Sequence, residues 1–203
     1  MRSDMMRNIL IALLLFLTAC DGDDRHAGAS LPSTPPTPTA QIAIFGDSII
    51  QIMASGNPVA PFNRALNAGI GGQTSAQIAD RVTAAAHIVF IEGGINDIGG
   101  HTLNEIVPNY RRMLDKLTSV SVVIIGIPPV DEALFDVNRV KLISNAKIVR
   151  INAQLADLCS QFSNCQTAMA AMQFNMSGKT LDGIHPKPET YAAWTTVLAQ
   201  YLE

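Results

Sequence analysis

From residue 41 onward, short apolar runs alternate with amphipathic helical patterns, and that alternation predicts an α/β fold built on a parallel sheet. A second observation supports it. Two of the runs, Ile88–Glu92 and Val120–Ile127, are almost continuously Leu, Ile, Val and Phe, as strands covered on both faces require. A third is that Gly-rich or polar segments follow these runs, at the strand ends where open α/β sheets bind ligands.

The elements follow in order. Strands are expected at Ile42–Phe45, Ala65–Ala68, Ile88–Glu92 and Val120–Ile127, with a weaker one at Cys165–Ala170. Thr74 and Gln77 form a capping box, and the helix after it carries Ile78, Val82 and Ala85 on one face. Thr102 and Glu105 suggest a second box, leading into Tyr110, Met113, Leu114 and Leu117. Pro108 means that this helix either kinks or starts at Val107–Pro108. Ile148, Ile151, Leu155 and Leu158 mark another helix. The last one has Pro188 in its first turn, then Tyr191, Trp194, Leu198 and Tyr201.

The chain's beginning reads as an address. Arg2 and Arg7 precede the apolar run from Ile9 to Leu17, which is too short to span a bilayer but fits an export signal. Leu-Thr-Ala-Cys, ending at Cys20, resembles the bacterial lipobox, which implies removal of residues 1–19 and acylation of Cys20. The remaining possibility is an ordinary signal with an incidental cysteine. Residues 20–40 turn polar and then Pro/Thr/Ser-rich, with no apolar periodicity, and read as a tether able to reach on the order of 60 Å when extended. Residues 41–203 form the folded domain. The expected location is the bacterial cell envelope, held at a membrane by an N-terminal lipid anchor.

Composition narrows the partners. With 48% hydrophobic and 15% charged residues the chain is globular, and its net charge of −3 with no Lys/Arg cluster gives no footing for nucleic acid. No His-Glu-x-x-His or Cys-x-x-Cys pattern suggests a metal, and no phosphate loop or dinucleotide fingerprint suggests a cofactor, so none is expected. On one continuous helix, Cys159 and Cys165 would lie about 9 Å apart, too far to bridge. Ser160–Asn164 reads as a helix end and loop that could close the gap. A disulfide and two buried thiols both stay open.

Four segments carry chemistry. Gly46-Asp47-Ser48 follows the first strand, placing Ser48 where a helix begins; alone, this is an ordinary turn. Gly69-Ile70-Gly71-Gly72 follows the second strand and precedes a helix N-terminus, where backbone amides can approach an anion. Asn96-Asp97 follows the third, and a strand-end amide can donate to a developing oxyanion. Asp182-Gly183-Ile184-His185-Pro186 precedes the last helix, and a carboxylate three residues before an imidazole can orient it as a general base.

In this order and spacing, the Gly-Asp-Ser, the Gly block, the Gly-x-Asn-Asp and the terminal Asp-x-x-His-Pro resemble the SGNH (GDSL) hydrolase family across residues 41–203. The resemblance implies a flavodoxin-like three-layer sandwich with a mostly parallel five-stranded sheet. It implies a serine esterase with Ser48 as nucleophile, His185 as base and acid, and Asp182 orienting His185. The Ser48 amide, the Gly72 amide (with Gly71 close enough to keep open) and the Asn96 side chain would form the oxyanion hole. The expected substrates are small-molecule, polysaccharide or lipid esters outside the cytoplasm, with short acyl groups such as acetyl ahead of lysophospholipids or thioesters. Acyl transfer to another alcohol is an alternative, and a non-catalytic binding module a more distant one. Ile49–Phe62 and Gly99–His101 lie where an acyl pocket would be shaped.

Overall fold

The computed structural model describes residues 40–202, apart from His101 and Ala171. The export signal, Cys20 and nearly all of the tether lie outside the described residues, as does His101.

Five strands form one sheet in the order β2-β1-β3-β4-β5, all parallel: β1 (Ala40–Gly46), β2 (Leu66–Gly69), β3 (Ala86–Glu92), β4 (Ser121–Gly126) and β5 (Cys165–Thr167). This is the flavodoxin-like α/β fold the sequence predicts. Val89, Phe90 and Ile91 of β3 and Val122, Val123 and Ile124 of β4 are all buried, so consecutive residues, which point to opposite faces, are covered on both.

The helices are α1 (Ser48–Met53), α2 (Ser75–Arg81), α3 (Ile95–Gly99), α4 (Ile106–Lys116), α5 (Val137–Leu142), α6 (Asn145–Cys159) and α7 (Pro188–Leu198). Helices α2, α4 and α6 pack in series along one face. A right-handed β1-α1-β2 crossover puts α1 on the other face, and α7 packs beside it, with the Tyr191 hydroxyl donating to Ile49 O at 2.9 Å.

The boundaries carry several corrections. β1 starts at Ala40, one residue inside the expected tether. α2 stops at Arg81 because Val82 takes an extended conformation; Val82 still reaches the core, but Ala85 lies beyond the helix. The capping box at Thr102 does not form. The chain makes a 3-10 turn at Leu103–Glu105, Thr102 makes no side-chain cap, and α4 begins at Ile106. Pro108 falls in the first turn of α4, where its missing N–H needs no partner, so the helix neither kinks nor starts at the proline. Because α6 ends at Cys159 and the chain turns through Ser160–Asn164, Cys159 and Cys165 come to a Cα separation of 5.4 Å and are disulfide-bonded.

One buried side chain holds the exit of β4. Asn152 on α6 accepts from Ile127 N at 2.9 Å and donates to Ile127 O at 2.8 Å, replacing the strand partner that the chain loses as it leaves the sheet. Asn152→Ala strands both backbone groups in the interior. It should cost roughly 2–4 kcal/mol of unfolding free energy, readable by urea denaturation, and a loss under about 0.5 kcal/mol would show that the clamp contributes little.

Candidate active site

Strand order reverses between β1 and β3, and in such sheets the crevice outside the carboxyl ends at that point is the ligand site. Ser48 follows β1 and Asn96 follows β3, so they stand on the two sides of that crevice.

Ser48 is the first residue of α1. The Asp47 side chain caps the helix by accepting from Ile49 N at 2.9 Å. The turn is tight: a Cβ on Gly46 would sit 2.3 Å from Ile50 Cγ1 and 2.8 Å from Glu92 Oε2, so no other residue fits. Across the crevice, the loop before α7 brings His185 Nε2 to 2.8 Å from Ser48 Oγ, while His185 Nδ1 lies 2.9 Å from Asp182 Oδ2. A carboxylate only accepts, so Nδ1 carries the ring proton toward Asp182 and Nε2 accepts from the serine hydroxyl. Asp182 also accepts from His185 N at 2.9 Å and Ile184 N at 3.0 Å. Partial burial works against its charge, but these amides and the ring outweigh it and hold its carboxyl below the usual range.

The His185 loop is itself anchored from β4's exit. Asp131 N donates to Gly183 O at 2.8 Å, and Asp131 Oδ2 accepts from Gly178 N at 2.9 Å. Gly183 has φ +94°, and a Cβ there would meet Phe135 Cε1 at 2.2 Å, so both conformation and space require glycine.

The Gly block closes the third side. A Cβ on Gly71 would lie 3.8 Å from Ser48 Cβ, and Gly72, at φ +74°, faces open space. Asn96 Nδ2 donates to Gln73 O at 2.9 Å and to Asp47 Oδ2 at a longer 3.3 Å. The first contact aims the amide and the second is weak enough to yield to a stronger acceptor. Asp97 secures the next turn, accepting from Ser75 N at 2.7 Å and Ser75 Oγ at 2.6 Å. Cys159 and Cys165 lie elsewhere: Cys165 pairs with Val122 near the start of β4, at the opposite edge of the sheet. Ile49, Ile50 and Phe62 are core residues, so these parts of the 49–62 segment do not line an acyl pocket.

Two residues at the site were not singled out from the sequence. Glu92 ends the buried apolar run Val89–Ile91 of β3 and is fully buried, as is Asp47. A charge ending a Val-Phe-Ile run is a signal that sequence reading can use. Glu92 Oε2 accepts from Asp47 N at 3.4 Å, and Glu92 Oε1 has no partner. Burial, opposed by the Ile49 amide and the Glu92 side chain, pushes Asp47 up to about 6. Burial and then the Asp47 charge push Glu92 well above the carboxylate range, so Glu92 keeps the proton. The second unforeseen residue is Arg81, whose Nε donates to Gln73 Oε1 at 2.6 Å and Nη2 to Gly46 O at 2.8 Å.

Known proteins share this architecture. Residues 44–193 match the GDSL-like Lipase/Acylhydrolase family, to which this chain belongs. It is a carboxylic ester hydrolase of the GDSL/SGNH type. No curated protein sequence matches it. Among solved structures it is similar to a Streptococcus pneumonia protein described as a candidate platelet activating factor (22% identity, TM-score 0.69, covering 81% of this chain and 84% of that one). It is also similar to a lipase from a goat rumen metagenome (17%, 0.60, 81% and 100%). A third is Axe2, an acetylxylan esterase from Geobacillus stearothermophilus (12%, 0.60, 81% and 94%). At these identities the likeness is one of fold.

The carboxyl pair makes stability depend on pH. Both folded-state pKa values lie above their unfolded ones, so the pair's contribution is complete below about pH 4 and declines as pH rises through about 6. Glu92→Gln, neutral at every pH, should raise Tm relative to wild type more at pH 8 than at pH 4.5. An equal change at both would show that Glu92 ionises freely in the folded protein.

Proposed function

We propose that this protein is a serine esterase that removes short acyl groups, acetyl foremost, through an acyl-enzyme on Ser48. The observation that carries this reading is the unbroken line from Ser48 Oγ through His185 Nε2 and Nδ1 to Asp182 Oδ2, with steps of 2.8 and 2.9 Å. His185 takes the hydroxyl proton as Ser48 Oγ attacks the ester carbonyl, and Asp182 balances the charge on the ring. The collapsing tetrahedral intermediate expels the alcohol, which leaves with the proton from His185. Water, deprotonated by His185, then attacks the acyl carbon, and Ser48 recovers its proton as the acid departs.

The amides of Ser48 and Gly72 and the side chain of Asn96 receive the oxyanion, Asn96 exchanging its weak contact with Asp47 Oδ2 for the charged oxygen. We put a short acyl group first, an acetylxylan esterase being among the proteins that share this fold. Longer lipid esters are the second reading, favoured by Ile70 and Leu181, large apolar side chains left exposed beside the Gly block and Asp182. Work on extracytoplasmic esters accords with the lipobox at Cys20, by which we place the enzyme on a membrane of the cell envelope.

Ser48→Ala should reduce hydrolysis of aryl acetate to background without lowering Tm; retained activity would remove Ser48 from the reaction. Asn96→Ala should lower turnover by roughly 10²–10³, and a loss under threefold would exclude it as an oxyanion donor. With aryl esters of increasing acyl length, the rate should fall sharply beyond acetyl, whereas a maximum at eight carbons or more would establish the lipid reading. Cys20→Ser should shift the protein from the membrane to the soluble fraction, and unchanged fractionation would rule out the lipid anchor.

A further inference from the structure

We propose that Arg81 is a positioning residue for the reaction, setting the distance between the turn that carries Ser48 and the loop that receives the oxyanion. This rests on the reading of Ser48 and the Gly block given above.

One guanidinium joins the two. Arg81 Nη2 donates to Gly46 O, two residues before Ser48, and Nε donates to Gln73 Oε1, one residue after Gly72. The Gly46 carbonyl also accepts from Ile70 N at 3.1 Å, so the strand end receives the Gly block at both of its ends, directly and through Arg81. Gln73 extends the connection to the third donor, because its carbonyl accepts from Asn96 Nδ2 at 2.9 Å. The three groups read as oxyanion donors therefore meet through one side chain and one residue.

The geometry follows from α2. Asp97 holds the first residue of α2, Ser75, through its backbone and its hydroxyl, and Arg81 closes the helix. Helical side chains lean toward the N-terminus, so Arg81 is directed back along α2 toward Gln73. Its guanidinium rests over the Phe45 ring, with Cζ 5.5 Å from the centroid. Among the described residues its partners are neutral: a carbonyl, an amide oxygen and a ring face. A guanidinium that makes no ion pair there does its work by direction, and the flat fork of Nε and Nη2 supplies two directions that an ammonium cannot.

Displacement of a catalytic donor by about 1 Å can cost on the order of a hundredfold in rate. Arg81→Met keeps an unbranched apolar side chain of similar reach and removes both donors. It should lower kcat on aryl acetate roughly ten- to a hundredfold with KM within about twofold. Affinity for an alkylboronic acid, which forms a tetrahedral adduct on the serine, should fall by the same factor as kcat/KM. Arg81→Lys should recover only part of the loss. Gln73→Leu keeps the backbone carbonyl for Asn96 and leaves Arg81 on Gly46, so it tests the connection even if Arg81→Met does not fold; it should lower kcat roughly three- to tenfold. Combining it with Arg81→Met should add little. Normal kcat in Gln73→Leu, additive losses in the double variant, or unchanged boronate affinity would each overturn the role of Arg81. An active Ser48→Ala protein would instead overturn the reading beneath it.

Discussion

Two buried carboxyls, Asp47 and Glu92, lie beneath the turn that carries Ser48, and the geometry of the site depends on one of them staying neutral. β1 must end, turn and start α1 within Gly46 and Asp47, both buried. Asp47 meets the needs of the turn by accepting from Ile49 N and Asn96 Nδ2. Two negative charges there would cost more than the helix cap returns. Glu92, kept protonated by burial and by the Asp47 charge, adds no second charge and leaves as its orphan an uncharged oxygen, which is far cheaper to bury than a charged one. The serine is thus presented by a turn whose polar groups are almost all satisfied internally.

From that turn outward, the groups proposed to react are held by elements that do not. The His185 loop hangs on Asp131 through Gly183 O and Gly178 N. The segment carrying Asp131 is held to α6 by paired amide contacts, Asn152 with Ile127 and Asn145 with Val130, the latter at 2.8 and 2.9 Å. The loop that turns at Gly183 is thereby fixed at its base, which keeps His185 at hydrogen-bonding distance from Ser48. Preorganisation of this kind moves the cost of ordering from the reaction to folding.

The electrostatics divide into two regimes. Asp182 is partly exposed, at 45% of its side chain, and stays ionised because amides and an imidazole point at it. Asp47 and Glu92 are sealed from solvent and lean toward the protonated form. Acid therefore acts on them in opposite directions, weakening the Asp182–His185 contact while favouring the buried pair.

Much of the fold was legible in the chain, because burial on both faces leaves strand centres with nothing but apolar residues, as at Val89–Ile91 in β3 and Val122–Ile125 in β4. The positions of Ser48, Asn96, Asp182 and His185 were legible too, since each stands in a short motif at a strand end or before a helix. Local pattern failed where a distant partner decides. The capping box at Thr102 is good local chemistry that the packing of α4 overrides, and the cysteines could pair only because α6 ends at Cys159. Arg81 carries no local sign of its role, for its partners Gly46 and Gln73 lie 35 and 8 residues away. Sequence by itself determined which elements form and which chemical groups stand at their ends, since periodicity and turn chemistry act over a few residues. Only the tertiary structure decided that Ser48 Oγ meets His185 across 137 residues and that Glu92 lies beneath Asp47, because such distances are set by how strands and loops pack.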